Sequence, residues 1–125
     1  MTTRGWIGVD LDGTLAEYNG WQGIEHIGTP VPRMLARVKE WIREGKDVRI
    51  LTARVAHDST SKRILETQFA MIHIMDWIAR QVGTDLPITC VKDFGMVELW
   101  DDRAIQVIAN TGLRADGGDI PEATP

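Results

Sequence analysis

A chain of 125 residues, 43% hydrophobic and 26% charged, is long enough for one domain with its own apolar core. Its formal net charge of −4 argues against a surface for polyanions, so nucleic acid is not indicated as a partner, and a single cysteine, Cys90, excludes a disulfide framework or thiolate metal cluster. No apolar stretch approaches the roughly 20 residues of a membrane span, and Met1-Thr2-Thr3-Arg4 lacks a signal-peptide core, so no membrane is involved and a cytoplasmic location is the default expectation.

Residues 5–10 form a short continuous apolar run ending in Asp10, the pattern of a strand buried on both faces. Residues 16–29 are polar and glycine-rich and read as a loop or flap, carrying Tyr18, Trp21 and His26. Pro30 and Pro32 mark a helix start; Met34, Leu35, Val38, Trp41 and Ile42 follow at helical spacing, and Gly45 ends the helix. Val48 to Leu51 is a second strand, leading into Thr52-Ala53-Arg54. Ser59, Thr60 or Ser61 caps a long helix reaching about Val82, with a core stripe of Ile64, Leu65, Phe69, Ile72, Met75 and Ile78 and with Gly83 beyond its end. Ile88–Val91 and Val97–Trp100 are strand candidates, and Ile105–Ala109 is a further one. Trp41 and Trp77 are expected in the core, and Cys90 as a small buried hydrophobe. Residues 1–114 make the domain, and 115–125, rich in Gly, Pro and small residues, are expected to be a disordered tail.

Strands alternating with helices indicate an α/β fold, a mostly parallel sheet with helices on both faces. Ligands of such sheets bind beyond the carboxyl ends of the strands. Polar residues fall there: Asp10 and Asp12 after the first strand, Thr52 after the second, Lys92 after the third, Asp101 and Asp102 after the fourth. Asp10 and Asp12, two apart, point to one side, and Gly13 permits a sharp turn with backbone N–H groups free for a phosphate. A carboxylate at Asp10 can attack a phosphoryl group, and a second carboxyl at Asp12 can protonate the leaving oxygen and then activate water. Several carboxylates sharing a site with a phosphate need a cation, and Mg²⁺ suits hard oxygen donors: Asp10, the Asp12 carbonyl, Asp101 and, in support, Asp102. Lys92 is expected to neutralise phosphate oxygens and Thr52 to donate to the phosphoryl group, with Lys62 and Lys46 as outside candidates for the cationic role. Gly13, Thr14, Arg54, His26 and Trp21 are further candidate substrate contacts.

Asp10-Leu11-Asp12-Gly13-Thr14-Leu15, then Ile50-Leu51-Thr52-Ala53-Arg54, then Lys92, then Leu99-Trp100-Asp101-Asp102-Arg103-Ala104, resemble in order the four motifs of the haloacid dehalogenase-like superfamily. The resemblance covers essentially the whole folded chain. It implies a Rossmann-like three-layer sandwich with strand order 5-4-1-2-3, Asp10 as nucleophile and Asp12 as acid/base. The second aspartate favours a phosphatase over a dehalogenase. Two departures stand out: Asp101-Asp102 is an adjacent pair where many members have a spaced one, and only nine residues separate Lys92 from Asp101, so the helix usual between those strands must shrink to a turn. Neither connection that carries a cap domain is long enough for one here, so the chain resembles the capless members. Their open sites suit either a phosphorylated small molecule or an exposed phosphate on a macromolecule, and a neighbouring subunit in a homo-oligomer is a possible cover.

Two other readings compete. A phospho-acceptor signalling module also gathers acidic residues, a hydroxyl and a lysine around Mg²⁺, but its phosphorylated aspartate follows the third strand. A catalytically silent binding domain is disfavoured because every chemical position is filled. Asp93-Phe94-Gly95 reproduces a kinase metal-binding tripeptide by coincidence, in a chain too short to be a kinase.

Overall fold

The computed structural model of the chain describes residues 5–119. Four parallel strands, β1 (Trp6–Val9), β2 (Asp47–Leu51), β3 (Ile88–Thr89) and β4 (Met96–Trp100), form one sheet in the order β3-β2-β1-β4. Two helices, α1 (Pro32–Arg43) and α2 (Ser61–Val82), and a 3₁₀ turn at Ala53–Val55 connect them. The class is therefore α/β, as its alternating pattern indicates, but the five-stranded order 5-4-1-2-3 is not formed among the described residues. Where a fifth strand is expected, at Ile105–Ala109, Val107 instead makes an isolated antiparallel bridge to Arg114. The chain reverses there through Asn110 and Gly112, both at positive φ, so 105–109 pairs back on its own continuation, and no strand among the described residues lies on the outer edge of β4.

The core lies on one side of the sheet. Ile7 and Val9 of β1 align with Val48 and Ile50 of β2, and these four pack with Met34, Val38 and Trp41 of α1 and Ile74, Trp77, Ile78 and Val82 of α2. Both helices share this face because β1→β2→β3 steps in one direction, and right-handed crossovers then land on the same side. A helix on the other face would come from the β3–β4 connection, where residues 90–95 are too few for one, or from the segment after β4, whose described residues form none. The expected three-layer arrangement is thus two-layered among the described residues. On the bare side Trp6 is shielded by the Arg49 guanidinium, 4.8 Å above its ring, and its indole N–H donates to Asp93 at 2.8 Å. Asp93 also accepts from the Gly95 N–H, which gives the kinase-like tripeptide a purely structural role in the turn before β4.

The helix boundaries follow the local chemistry. Pro32 opens α1 in its first turn, where no N–H partner is lost. The Thr60 hydroxyl caps α2 by accepting from the Arg63 N–H, and Gly83, at φ 91°, ends it in the left-handed region that a side chain disfavours. The face of α2 differs from expectation. Its buried residues are Thr67, Ala70, Ile74, Trp77, Ile78 and Val82, whereas Leu65, Phe69, Ile72 and Met75 of the expected stripe are exposed, Ile64 borders on exposed, and only Ile78 is in the core. Trp41 and Trp77 are buried as expected, but Cys90 is exposed, because β3 stops at Thr89 and the chain leaves the sheet before Cys90. No helix among the described residues is long and apolar enough to cross a membrane. Residues 115–119 of the expected tail turn back on Arg114, which pairs with Asp116 and whose N–H donates to Asp119; 120–125 lie outside the described residues, as do residues 1–4.

Candidate active site

The carboxyl ends of β1 and β4 bring three aspartates together. The Asp10 N–H donates to the Trp100 carbonyl at 2.9 Å, which fixes the end of β1 beside the residue that precedes Asp101. Trp100 is itself held edge-on against Trp41, with ring centroids 5.2 Å apart, and beneath the Arg37 guanidinium at 4.7 Å. Asp101 accepts from the N–H groups of Arg103 and Ala104 and so turns the chain out of the strand. As a result Asp10, Asp101 and Asp102 each place a carboxylate oxygen within 4.8 Å of the others.

The turn after β1 is built to allow this. Leu11 and Leu15 are fully buried anchors on either side of it, closed by N–H donation from Leu15 and Ala16 to the Leu11 carbonyl. Between them Gly13 sits at φ 89°, where a Cβ would lie 2.6 Å from an Asp102 carboxylate oxygen. The Thr14 hydroxyl lies 3.5 Å from Asp10 and 3.4 Å from Asp102, bridging the two. Gly13→Ala is therefore expected to push Asp102 away from the cluster and to weaken divalent-cation binding at least tenfold, a loss that titration calorimetry would read.

Burial, then the charge of Asp101, then the hydrogen bond and charge of Asp102 push the Asp10 carboxyl up to about 7. A half-buried carboxyl that two facing carboxylates raise further marks a place for positive charge. The donor set fits Mg²⁺: three carboxylates on hard oxygen, none paired with a lysine or arginine among the described residues.

No family model and no curated protein matches the chain. One solved structure is similar: that of a conserved protein coded by a locus from Bacteroides thetaiotaomicron, with a TM-score of 0.55 and 16% identity over 82% of this chain and 78% of that one. At that identity the likeness is one of fold.

The second aspartate of the pair is held differently. Both Asp12 carboxylate oxygens accept from Arg54, at 2.7 Å from Nε and 2.9 Å from Nη2. The Arg54 side chain is 5% exposed; it also donates to the carbonyls of Ile24 and His26 and lies 4.8 Å over the Trp21 ring. Arg54 thus joins Asp12 to the flap. The flap is pinched at its base, where Glu17 donates to Thr29 and Val31 to Leu15, and the Trp77 indole fastens it to α2 through the Gly28 carbonyl at 3.0 Å.

A cavity of about 540 Å³ opens over these groups, within the range of small-ligand sites. Asp10, Asp12, Thr52, Arg54, Asp101 and Asp102 line it together, as does Trp21 of the flap. Thr52 is buried, its hydroxyl accepting from the Arg54 N–H and capping the 3₁₀ turn. Lys92 is not brought in: it is exposed beyond β3 and does not line the cavity. The two-residue β3 ends too early to aim it. Neither Lys46, which pairs with Glu44, nor Lys62 lines the cavity either; its cations are Arg54, Arg63 and Arg103. Arg63 and Glu66, missed in the sequence, come from the first turns of α2. Their only advance signal is their place next to the helix cap on a segment following Thr52. His26 contributes its carbonyl to Arg54 and lines a smaller cavity of about 200 Å³. Asp12 and Arg54 line both cavities, so their ion pair forms part of the wall between them.

Proposed function

We propose that the chain is a Mg²⁺-dependent phosphomonoester hydrolase of the haloacid dehalogenase-like type, working through an aspartyl-phosphate on Asp10. The carrying observation is the convergence of Asp10, Asp101 and Asp102 in the lining of a cavity that Asp12 and Thr52 share. An Asp10 oxygen attacks phosphorus, the bond from phosphorus to the leaving oxygen breaks, and that oxygen takes a proton from Asp12. Water then attacks the phosphorus, losing its proton to Asp12, and the bond to the Asp10 oxygen breaks, returning the carboxylate and releasing phosphate. Bound Mg²⁺ would offset the negative charge of the three carboxylates and the phosphoryl oxygens. Asp10 and Asp101 would hold it with the Asp12 carbonyl, and Asp102 would support it directly or through water.

Arg54 has a part in the proposed cycle. Asp12 cannot carry the proton while both of its oxygens accept from one guanidinium, so Arg54 must release at least one of them. A phosphate is the partner for which a guanidinium fork leaves a carboxylate, and Arg54 faces the same cavity. The cavity's volume suits a phosphorylated metabolite, and its open mouth also admits a phosphate exposed on a macromolecule. Phosphate release from a broad panel of phosphometabolites, phosphopeptides and nucleic-acid ends, with and without Mg²⁺, tests the activity and sorts the two.

The same Asp12–Arg54 pair favours a second reading, a phospho-acceptor that does not turn over. One equivalent of the leaving alcohol released per chain, with the phosphoryl group retained on Asp10 and no inorganic phosphate freed, would select it over hydrolysis.

The Asp10 carboxyl supplies a pH test that needs no substrate. With its folded value raised from 3.8 to about 7, the folded chain holds a proton that the unfolded chain has already lost between those values. In the absence of divalent cations its contribution to stability therefore falls as pH rises from about 4 to 7. Mg²⁺, which binds the ionised form, is expected to raise the melting temperature most above pH 7, and to bind more tightly at pH 8 than at pH 6 with release of a proton. Melting curves across pH, with Asp10→Asn as the variant that lacks this slope, check it.

A further inference from the structure

Helix α2 is apolar on two opposite sides, and the chain covers one. Ile74, Trp77, Ile78 and Val82 face the core, while on the far side Leu65, Phe69, Ile72 and Met75 stand 53%, 52%, 60% and 51% exposed. Four large apolar side chains along one exposed helix face are unusual for a lone domain. Their spacing is specific. Leu65, Ile72 and Ala79 recur every seven residues, with Phe69 and Met75 beside them, which is the repeat that keeps a seam against another helix.

We propose that this seam is filled by α2 of a second copy of the chain, running antiparallel, with the two-fold axis at Phe69. Charge selects the occupant and its direction. Lys62 and Asp76 stand seven residues before and after Phe69, so an antiparallel pair brings each Lys62 to Asp76 of the partner subunit. This pairing occurs twice in the dimer, and Ile72 then lies beside Leu65 of the partner subunit. A parallel pair would set Lys62 against its own copy. Asp76, already holding Arg80 within the helix, becomes the centre of a charge cluster at each end of the seam.

The seam lies on the opposite side of α2 from Arg63, Glu66 and Ala70, which line the cavity, so the pair leaves both cavities open.

Sedimentation equilibrium on the full chain, with three sets of variants, tests the pairing. The parent is expected to be a dimer at tens of micromolar. Phe69→Asp with Ile72→Asp, at two exposed positions, is expected to weaken association about 100-fold while leaving the circular dichroism unchanged. Lys62→Asp or Asp76→Lys alone is expected to weaken it about fivefold, and the two together to restore it. In a Cys90→Ser background, Phe69→Cys is expected to cross-link to its own copy under copper-phenanthroline oxidation, and Lys62→Cys is not. A parent that stays monomeric at 100 µM, or a dimer indifferent to Phe69→Asp with Ile72→Asp, would overturn the interface. A double charge swap that fails to restore, or cross-linking at position 62, would overturn the antiparallel arrangement.

Discussion

Asp10→Asn is expected to lower Mg²⁺-dependent phosphate release by about a thousandfold or more while making the cation-free protein more stable above pH 7. The two effects have one cause. The substitution keeps the shape of the side chain and removes its charge and its nucleophilic oxygen, so no acyl phosphate can form. It also removes the carboxylate that burial and its neighbours Asp101 and Asp102 make costly to ionise, so the folded chain loses a repulsion that it bears only without a cation. A residue needed simply for folding would lose activity and stability together. Opposed changes in the two measurements, phosphate release and melting temperature, identify a site residue.

Arg54→Ala is expected to cost about 3 kcal/mol, a fall of roughly 10 °C in melting temperature. The guanidinium is nearly fully buried, and its removal leaves the Asp12 carboxylate facing a cavity with neither of its two charge-assisted bonds. The carbonyls of Ile24 and His26 and the face of Trp21 lose their common partner as well, so amide exchange across 17–29 should accelerate. Arg54→Lys is not expected to rescue either effect, since an ammonium cannot span both Asp12 oxygens and two flap carbonyls from one planar group. Phosphate release should fall in both variants through loss of the flap and of the partner that positions Asp12. An unchanged melting temperature in Arg54→Ala would contradict this role.

Much of the fold is legible because its signals are local. The apolar run before Asp10, the Thr60 cap and Gly83 beyond α2 each act within a few residues, and β1 and α2 appear where they indicate. The rim is legible because a parallel sheet gathers its strand ends, which places Asp10, Thr52, Asp101 and Asp102 on one cavity. The failures have physical reasons too. Periodicity finds an apolar face but does not choose between two, and the residues of α2 that look most hydrophobic are the exposed ones. Lys92 and Cys90 depart from expectation for one reason: β3 ends after Thr89, and the residues beyond it are no longer aimed by the sheet. The shortness of the connection before Asp101 is visible in the sequence, but the loss of a whole helical layer depends also on the direction in which the other crossovers run. The Asp12–Arg54 pair joins residues 42 apart and depends on how the flap folds over both, which neither residue's neighbours reveal.

An acyl phosphate at Asp10 can be trapped chemically. The chain is incubated with Mg²⁺ and the phosphate ester it turns over fastest, quenched in acid during turnover and reduced with borohydride, which converts an aspartyl-phosphate to homoserine. The expected result is homoserine at position 10 and nowhere else, with none formed in Asp10→Asn. Phosphate release with no homoserine at position 10, homoserine at another aspartate, or no release from any phosphate ester in the panel would contradict an aspartyl-phosphate hydrolase.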